Sequence, residues 1–113
     1  MHGIRMAEIV SEGILIQVAQ DGLDILGELY YRDFDKIIIR EENITPAFFD
    51  LKTGLAGEIL QKFSNYRVQL AIVGDFSNFQ GKSIKDFIYE SNRLGQVNFV
   101  GSIAEAIERL LKK

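Results

Sequence analysis

The sequence predicts a single α/β domain built on a largely parallel sheet. Three short apolar runs are typical of strands that are covered on both faces: "KIIIR" at 36–40, "QLAIVGDF" at 69–76 and "QVNFVGS" at 96–102. Helical patterns separate these runs, and strands that alternate with helices are joined by right-handed crossovers into a parallel sheet. The 113 residues make one domain of ordinary size.

The amino-terminal segment predicts two further strands joined by a hairpin. "IRMAEIV" at 4–10 and "ILIQVAQ" at 14–20 are strand-like runs separated by "SEG", in which Gly13 can take the positive φ of a tight turn. The first strand is therefore expected to lie antiparallel at an edge. The whole sheet would then be mixed, mostly parallel and five-stranded.

Apolar residues at three- or four-residue spacing predict four main helices. These residues are Leu23, Leu26, Leu29 and Tyr30 in the first helix, Leu51, Leu55, Ile59 and Phe63 in the second, and Ile84, Phe87 and Ile88 in the third; the fourth helix covers 102–113. Asp21 is expected to cap the first helix, Gly95 to end the third, and Ser102 with Glu105 to form a capping box. Thr45 and Pro46 predict a short helical turn before the second helix. Tyr30, Tyr31 and Phe34 are expected at the core and its rim.

Composition excludes several classes of function. The net charge of −3 is spread along the chain, which argues against a nucleic-acid partner because a phosphate-backbone binder needs a basic stripe. No run of apolar residues is long enough to span a membrane, and the stretch "MHGIRMAEIV" lacks the apolar h-region expected of a secretory signal. The lack of Cys fits a cytoplasmic location, and His2 as the single His argues against a zinc site or histidine catalysis. We expect no cofactor and no bound metal.

The stretch "FFDLKTGLAGEIL" at 48–60 places a Lys, a Thr and two Gly before an apolar helix. Asp50 is expected to cap that helix, so that Thr53 would stand in its first turn, near free N–H groups that favour an anion. Gly54 and Gly57 would serve close packing or the approach of a ligand. As a lost cap, Asp50→Ala is expected to cost about 1 kcal/mol, and Thr53→Ala less. A purely structural role for the turn stays open.

The order of elements and this turn resemble STAS domains, the class of bacterial anti-sigma-factor antagonists. In that family an Asp opens a turn whose hydroxyl residue, just before a Gly, is phosphorylated by a partner kinase. Asp50 stands at the place of that Asp and Thr53-Gly54-Leu55 matches the hydroxyl-Gly-Leu, with Leu51 and Lys52 inserted between them. The stretches "FFDLKTGLAGEILQKFSNYR", "LAIVGDF" and "DFIYES" more closely resemble a bacterial domain family of unknown function.

Acidic and aromatic residues follow two of the predicted strands. Glu41 and Glu42 follow one strand and Asp75 the next, and carboxylates at the carboxyl edge of a parallel sheet can hold Mg²⁺ or be solvated loop acids. Phe76 and Phe79, in the loop after Asp75, could anchor a partner or close over the core.

These observations predict a non-enzymatic, cytoplasmic regulatory or protein-interaction domain of STAS type. The expected partner surface comprises Asp50, Lys52, Thr53, Gly54, Asp75, Phe76 and Phe79. The alternative is a small-molecule or Mg²⁺-dependent enzyme or binding protein that uses Glu41, Glu42 and Asp75. The edge strand also leaves open a weak homodimer.

Overall fold

The computed structural model describes residues 5–112. Within this range, helices and strands alternate as β1 (Met6–Glu8), α1 (Ala19–Tyr31), β2 (Lys36–Arg40), α2 (Leu55–Asn65), β3 (Gln69–Val73), α3 (Lys82–Leu94), β4 (Val97–Val100) and α4 (Ile103–Leu111). Between β2 and α2 lie the 3₁₀ turns Glu41–Asn43, Pro46–Phe49 and Leu51–Thr53. The predicted ends of the first strand and last helix, Ile4 and Lys113, lie outside the described residues, as does His2. None of the helices described is long and apolar enough to cross a membrane.

The strands form one sheet in the order β1-β2-β3-β4, and every neighbouring pair is parallel. Ile37 lies opposite Ala7 on one side and Leu70 on the other, and Ile72 lies opposite Phe99. The predicted parallel pairing of the three apolar runs is confirmed, and so are the four helices. The predicted five strands and the antiparallel edge are wrong for residues 5–112, where β1 is an edge strand that runs parallel to β2.

The predicted hairpin is replaced by a loop that returns to β2. Gly13 has the expected positive φ of 79°, but the chain after it does not pair with β1. Instead Ile16 forms a single parallel bridge to Ile44, just beyond the carboxyl end of β2. Ile16 is buried while Ile14 and Val18 are exposed. The alternating apolar pattern therefore corresponds to a single buried residue that holds the loop in place, and not to a strand. Helix α1 then begins at Ala19, and the Asp21 carboxylate accepts from the N–H groups of residues 17 and 18.

Both faces of the sheet are covered by helices, as the apolar runs predicted. Ile37, Ile39 and Ile72 pack with buried residues of α1, α2 and α3. On the other face Ile38 packs against α4 and is 1% exposed. Since successive strand residues point to opposite faces, a run such as "KIIIR" needs cover on both sides, and α4 supplies the second side.

The second edge of the sheet, β4, is closed by a side chain of α3. The Asn92 Oδ1 atom accepts from the Phe99 N–H at 2.7 Å, and its Nδ2 atom donates to the Phe99 carbonyl at 3.2 Å. The amide therefore bonds both backbone groups of Phe99, as a neighbouring strand would. Nothing in the sequence pattern predicted this contact.

Candidate functional site

A cleft of about 480 Å³ lies at the carboxyl ends of β2 and β3. We call it the acidic cleft. Its apolar walls are Ile14, Ile44, Pro46, Phe49, Val73 and Phe79, and its polar residues are the carboxylates Glu41, Glu42 and Asp75. The carboxyl edge of a parallel sheet is a common position for ligand sites in α/β folds. The acids and one of the aromatic residues singled out from the sequence therefore share one cleft.

Glu41 is held against the end of β3. Its Oε1 atom accepts from the Asp75 N–H at 3.2 Å. Gly74 makes this approach possible, because a Cβ atom at that position would lie 2.6 Å from the Glu41 Cβ, closer than real contacts allow. Both acids were predicted from the sequence, whereas Gly74 was not. Its only sequence signal was a Gly directly after an apolar strand, which also marks ordinary turns.

Local hydrogen bonds stabilise the charged form of the Asp75 carboxylate. The Ser77 hydroxyl donates to Asp75 Oδ1 at 2.6 Å and the Ser77 N–H donates to the same oxygen at 3.0 Å. These bonds, the hydroxyl first, hold the pKa of the Asp75 carboxyl below its usual value. Within residues 5–112, no three side chains of His, Cys, Asp or Glu come close enough together to hold a metal ion.

Phe76 and Phe79 pack over the core. The Phe79 ring stacks on Phe49 with centroids 5.0 Å apart, and the Phe76 ring meets Phe99 edge-on at 5.3 Å. Both rings are partly buried against the main core. Of the two interpretations left open by the sequence, closure of the core is the one that the packing shows, and Phe79 also forms a wall of the acidic cleft.

Asp50 does not cap α2, contrary to the prediction. Its carboxylate accepts from the Lys52 N–H at 3.2 Å and so caps the 3₁₀ turn Leu51–Thr53. Gly54 follows with a φ of 76°, a left-handed conformation that interrupts the helical backbone, and α2 begins only at Leu55. Thr53 therefore lies before the helix and not in its first turn.

The Thr53 hydroxyl is engaged although the residue is exposed. Its oxygen lies 2.8 Å from the Ala47 carbonyl and 2.9 Å from the Asp50 carbonyl, and the single proton can go to either. The same oxygen accepts from the Leu55 N–H at 3.2 Å. Thr53, and not Asp50, thus satisfies a free N–H at the start of α2.

The predicted packing role of Gly54 and Gly57 is wrong. A Cβ atom at either position would meet no atom within 4 Å. The positive φ explains Gly54, and nothing in the structure explains Gly57. The glycine that allows helices to approach is Gly22 in α1, where a Cβ atom would lie 3.1 Å from the Ile59 side chain of α2.

Asn43 is a residue of the site that sequence reasoning missed. It is fully buried and donates from Nδ2 to the carbonyls of Ser11 at 3.1 Å and Gly13 at 2.8 Å. Its main-chain carbonyl accepts from the N–H groups of residues 15 and 16. These bonds fix the loop that carries Ile14 into the acidic cleft. The only sequence signal was an amide residue among acids after an apolar strand.

The predicted partner residues fall into two adjacent groups. Asp75 and Phe79 line the acidic cleft, with Phe76 packed against Phe79. The second group is the turn 50–54, which holds Asp50, Lys52, Thr53 and Gly54 and lies outside the cleft lining. Phe49 joins the groups, because it stacks on Phe79 and directly precedes the turn.

A family model described as a domain of unknown function (DUF4180) matches residues 1–110. No curated protein and no solved structure matches the chain. The expected resemblance to an uncharacterised domain family is confirmed by this match, which covers nearly the whole chain and is not to a STAS family.

Proposed function

Because the chain belongs to the DUF4180 family of domains, whose description states no function, we propose a function from the geometry of its site. The protein is a non-enzymatic, cytoplasmic regulatory domain that binds a protein partner at the carboxyl ends of β2 and β3. The contact surface comprises the acidic cleft and the neighbouring turn 50–54.

The composition of the acidic cleft carries this proposal. Its walls are aromatic and aliphatic side chains, of which Phe49 and Phe79 are ordered by stacking on each other, and its polar residues are all carboxylates. An apolar side chain inserted beside Phe49 and Phe79 would be desolvated, and such buried anchors supply most of the binding energy at interfaces. Carboxylates nearby favour basic flanking residues. The partner segment therefore carries an apolar residue next to Lys or Arg.

The turn 50–54 adds a point at which binding can be modulated. The STAS resemblance supports a regulatory role, since Thr53 occupies the place of the phosphorylated residue in that family. A phosphate would add a charge of about −1.5 to −2 beside the exposed Asp50. It would also remove the hydroxyl proton that Thr53 donates to the Ala47 or Asp50 carbonyl, and so loosen the start of α2.

The test is capture of a partner from the native host, followed by titration of the purified partner. Glu42→Lys reverses a charge at the exposed rim of the cleft and is expected to weaken binding about tenfold or more. Thr53→Glu is expected to weaken it less. Glu108→Lys, on α4, makes the same charge change as Glu42→Lys at an exposed position. Lys112→Glu, beside α4, makes a charge change of the same sign as Thr53→Glu and twice its size, also at an exposed position. Both controls should leave the affinity unchanged. Equal affinities for all four variants and the wild type would mean that the partner does not bind at this surface.

A second candidate function is supported by the size of the same cleft. Its volume of about 480 Å³ is within the range of small-molecule sites, roughly 300 to 1,000 Å³. The carboxylates would select a cationic ligand or Mg²⁺. A ligand that binds the folded state raises the melting temperature, so a screen with Mg²⁺, nucleotides and cationic metabolites tests this function. The shift should disappear in Asp75→Asn. Such a ligand, with no binding of a protein partner, would replace the first proposal.

A further inference from the structure

A second cleft, of about 950 Å³, lies at the opposite end of the sheet, where the amino ends of β1, β2 and β3 meet the last turns of α1 and α2. We call it the tyrosine cleft. Its lining is Tyr30, Tyr31, Phe34 and Tyr66 together with Arg5, Asp33, Asp35 and Gly27. The sequence analysis expected the aromatic residues of this region at the core and its rim. Instead Tyr30 is 51% exposed and Tyr31 is 87% exposed, so their rings border the cleft.

The rings of this cleft are ordered by contacts among themselves and with cations. Tyr30 and Tyr66 stack with centroids 5.0 Å apart and join the end of α1 to the end of α2. The guanidinium carbon of Arg5 lies 4.7 Å from the centroid of Phe34, and that of Arg32 lies 5.6 Å from it. The cluster therefore already receives two organic cations of its own chain on a ring face.

The electrostatics of the cleft also favour a positive ligand. Helices α1 and α2 both end here, and a helix carboxyl terminus carries a partial negative charge. The basic residues at these helix ends do not line the cleft: Arg32, which follows α1, is paired with Glu28 at 3.5 Å, and Lys62 in the last turn of α2 is exposed. Asp33 and Asp35 are exposed carboxylates in the lining, and the one cationic lining residue, Arg5, lies over Phe34.

Gly27 leaves the space that a ligand needs. It lies on α1 one turn before Tyr30 and Tyr31, and it lines the cleft. A Cβ atom at this position would meet no atom within 4 Å. The helix would be more stable with almost any other residue here. Glycine therefore lowers the stability of α1 at this position, and no close contact requires it.

From these observations we propose that the tyrosine cleft binds an organic cation, a quaternary ammonium or guanidinium group. The cation lies against the exposed ring of Tyr31 and an outer face of the Tyr30–Tyr66 stack, where the ring quadrupole attracts it, and Asp33 and Asp35 balance its charge. The site is separate from the acidic cleft and does not depend on the function proposed for it. The cationic group can belong to a free metabolite or to a modified side chain of another protein.

The chain offers a direct optical readout. It contains four Tyr and no Trp, and three of the four Tyr line the cleft, so its intrinsic fluorescence comes mainly from the site. Tyr89→Phe removes the remaining emitter, which lies on α3 and is 70% exposed. In this background we would titrate choline and methylguanidinium as free cations, and the amide of acetyl-trimethyllysine as a side-chain cation. Dimethylbutanol, the neutral carbon analogue of choline, is the ligand control.

We expect a saturable change of tyrosine emission with at least one cation and none with dimethylbutanol. Gly27→Leu fills the cleft from a position that tolerates a side chain, so it should raise the melting temperature and weaken cation binding about tenfold or more. Gly57→Leu makes the same change on α2 at a position that lines neither cleft, and it should bind as the background does. Binding of the trimethyllysine compound alone would assign the site to a protein side chain. A response that never saturates, an equal response to dimethylbutanol, or unchanged binding by Gly27→Leu would overturn the proposal.

Discussion

The two clefts at opposite ends of the sheet are built in different ways. The acidic cleft is formed by turns that hold one another, since the backbone N–H of Asp75 donates to the Glu41 carboxylate and the Asn43 side chain binds the loop before α1. The tyrosine cleft is formed by side chains at the ends of two helices, with Gly27 open to solvent space. A side chain at Gly74 would therefore force the surrounding turns to move, whereas a side chain at Gly27 would not. At the acidic cleft the glycine is required by a close contact, and at the tyrosine cleft it leaves space unfilled.

The same substitution at the two glycines gives the largest expected contrast. Gly74→Ala places a Cβ atom 2.6 Å from the Glu41 Cβ, and the forced movement should lower the free energy of unfolding by about 2 kcal/mol. Gly27→Ala meets nothing and removes a glycine from a helix interior, so it should raise that free energy by about 1 kcal/mol. Urea unfolding of both variants measures the two values. If both variants changed the free energy of unfolding in the same direction, the contrast between the two ends would be contradicted.

A smaller effect is expected in the turn 50–54. Thr53→Ala removes a hydroxyl that donates to the Ala47 or Asp50 carbonyl and accepts from the Leu55 N–H, and should cost about 1 kcal/mol. Asp50→Ala removes one bond, to the Lys52 N–H at 3.2 Å, and should cost less. This order reverses the expectation from the sequence. Thr53→Ser keeps the hydroxyl and serves as the control, and a cost for Asp50→Ala above that for Thr53→Ala would restore the original order.

The smallest effect concerns the charge of Asp75. Ser77→Ala removes the hydroxyl bond that depresses the pKa of Asp75, so that pKa should rise toward its usual value. A depressed carboxyl pKa adds stability above the pKa of the unfolded chain, and this addition is lost as the pH falls through the folded-state pKa. The variant should therefore lose less stability on acidification. NMR titration of the Asp75 carboxyl measures the shift, and an unchanged pKa would mean that the backbone N–H of Ser77 is sufficient.

The parallel core could be predicted because its signal is local. Wholly apolar runs such as "KIIIR" require cover on both faces, and helical spacing between them requires crossovers, so β2, β3 and β4 follow directly. The hairpin predicted for the amino-terminal segment was wrong for a physical reason. Ile14, Ile16 and Val18 alternate as a strand would, but the partner of Ile16 is Ile44, which is far away in the sequence. Alternation shows which residue is buried and not what it pairs with.

The charged residues of the acidic cleft were predicted from the sequence, but the residues that hold its turns together were not. Acids that follow parallel strands must share one edge, so Glu41 and Asp75 could be placed together. The roles of Gly74 and Asn43 depend on close approaches between separate turns, which have no local pattern. The tyrosine cleft was missed because apolar spacing alone does not distinguish a buried ring from one at the open end of a helix.

The amide of Asn92 limits how copies of this chain could join. A sheet with two free edges can add strands at both and grow into a polymer. Here the backbone groups of Phe99 on the outer side of β4 are already bonded, so within residues 5–112 β1 is the edge more open to a strand. If two copies pair along β1, a two-fold axis uses up both available edges, and the association stops at a dimer. The Asn92 side chain thus disfavours growth of the sheet at β4 and favours an association that stops at two copies.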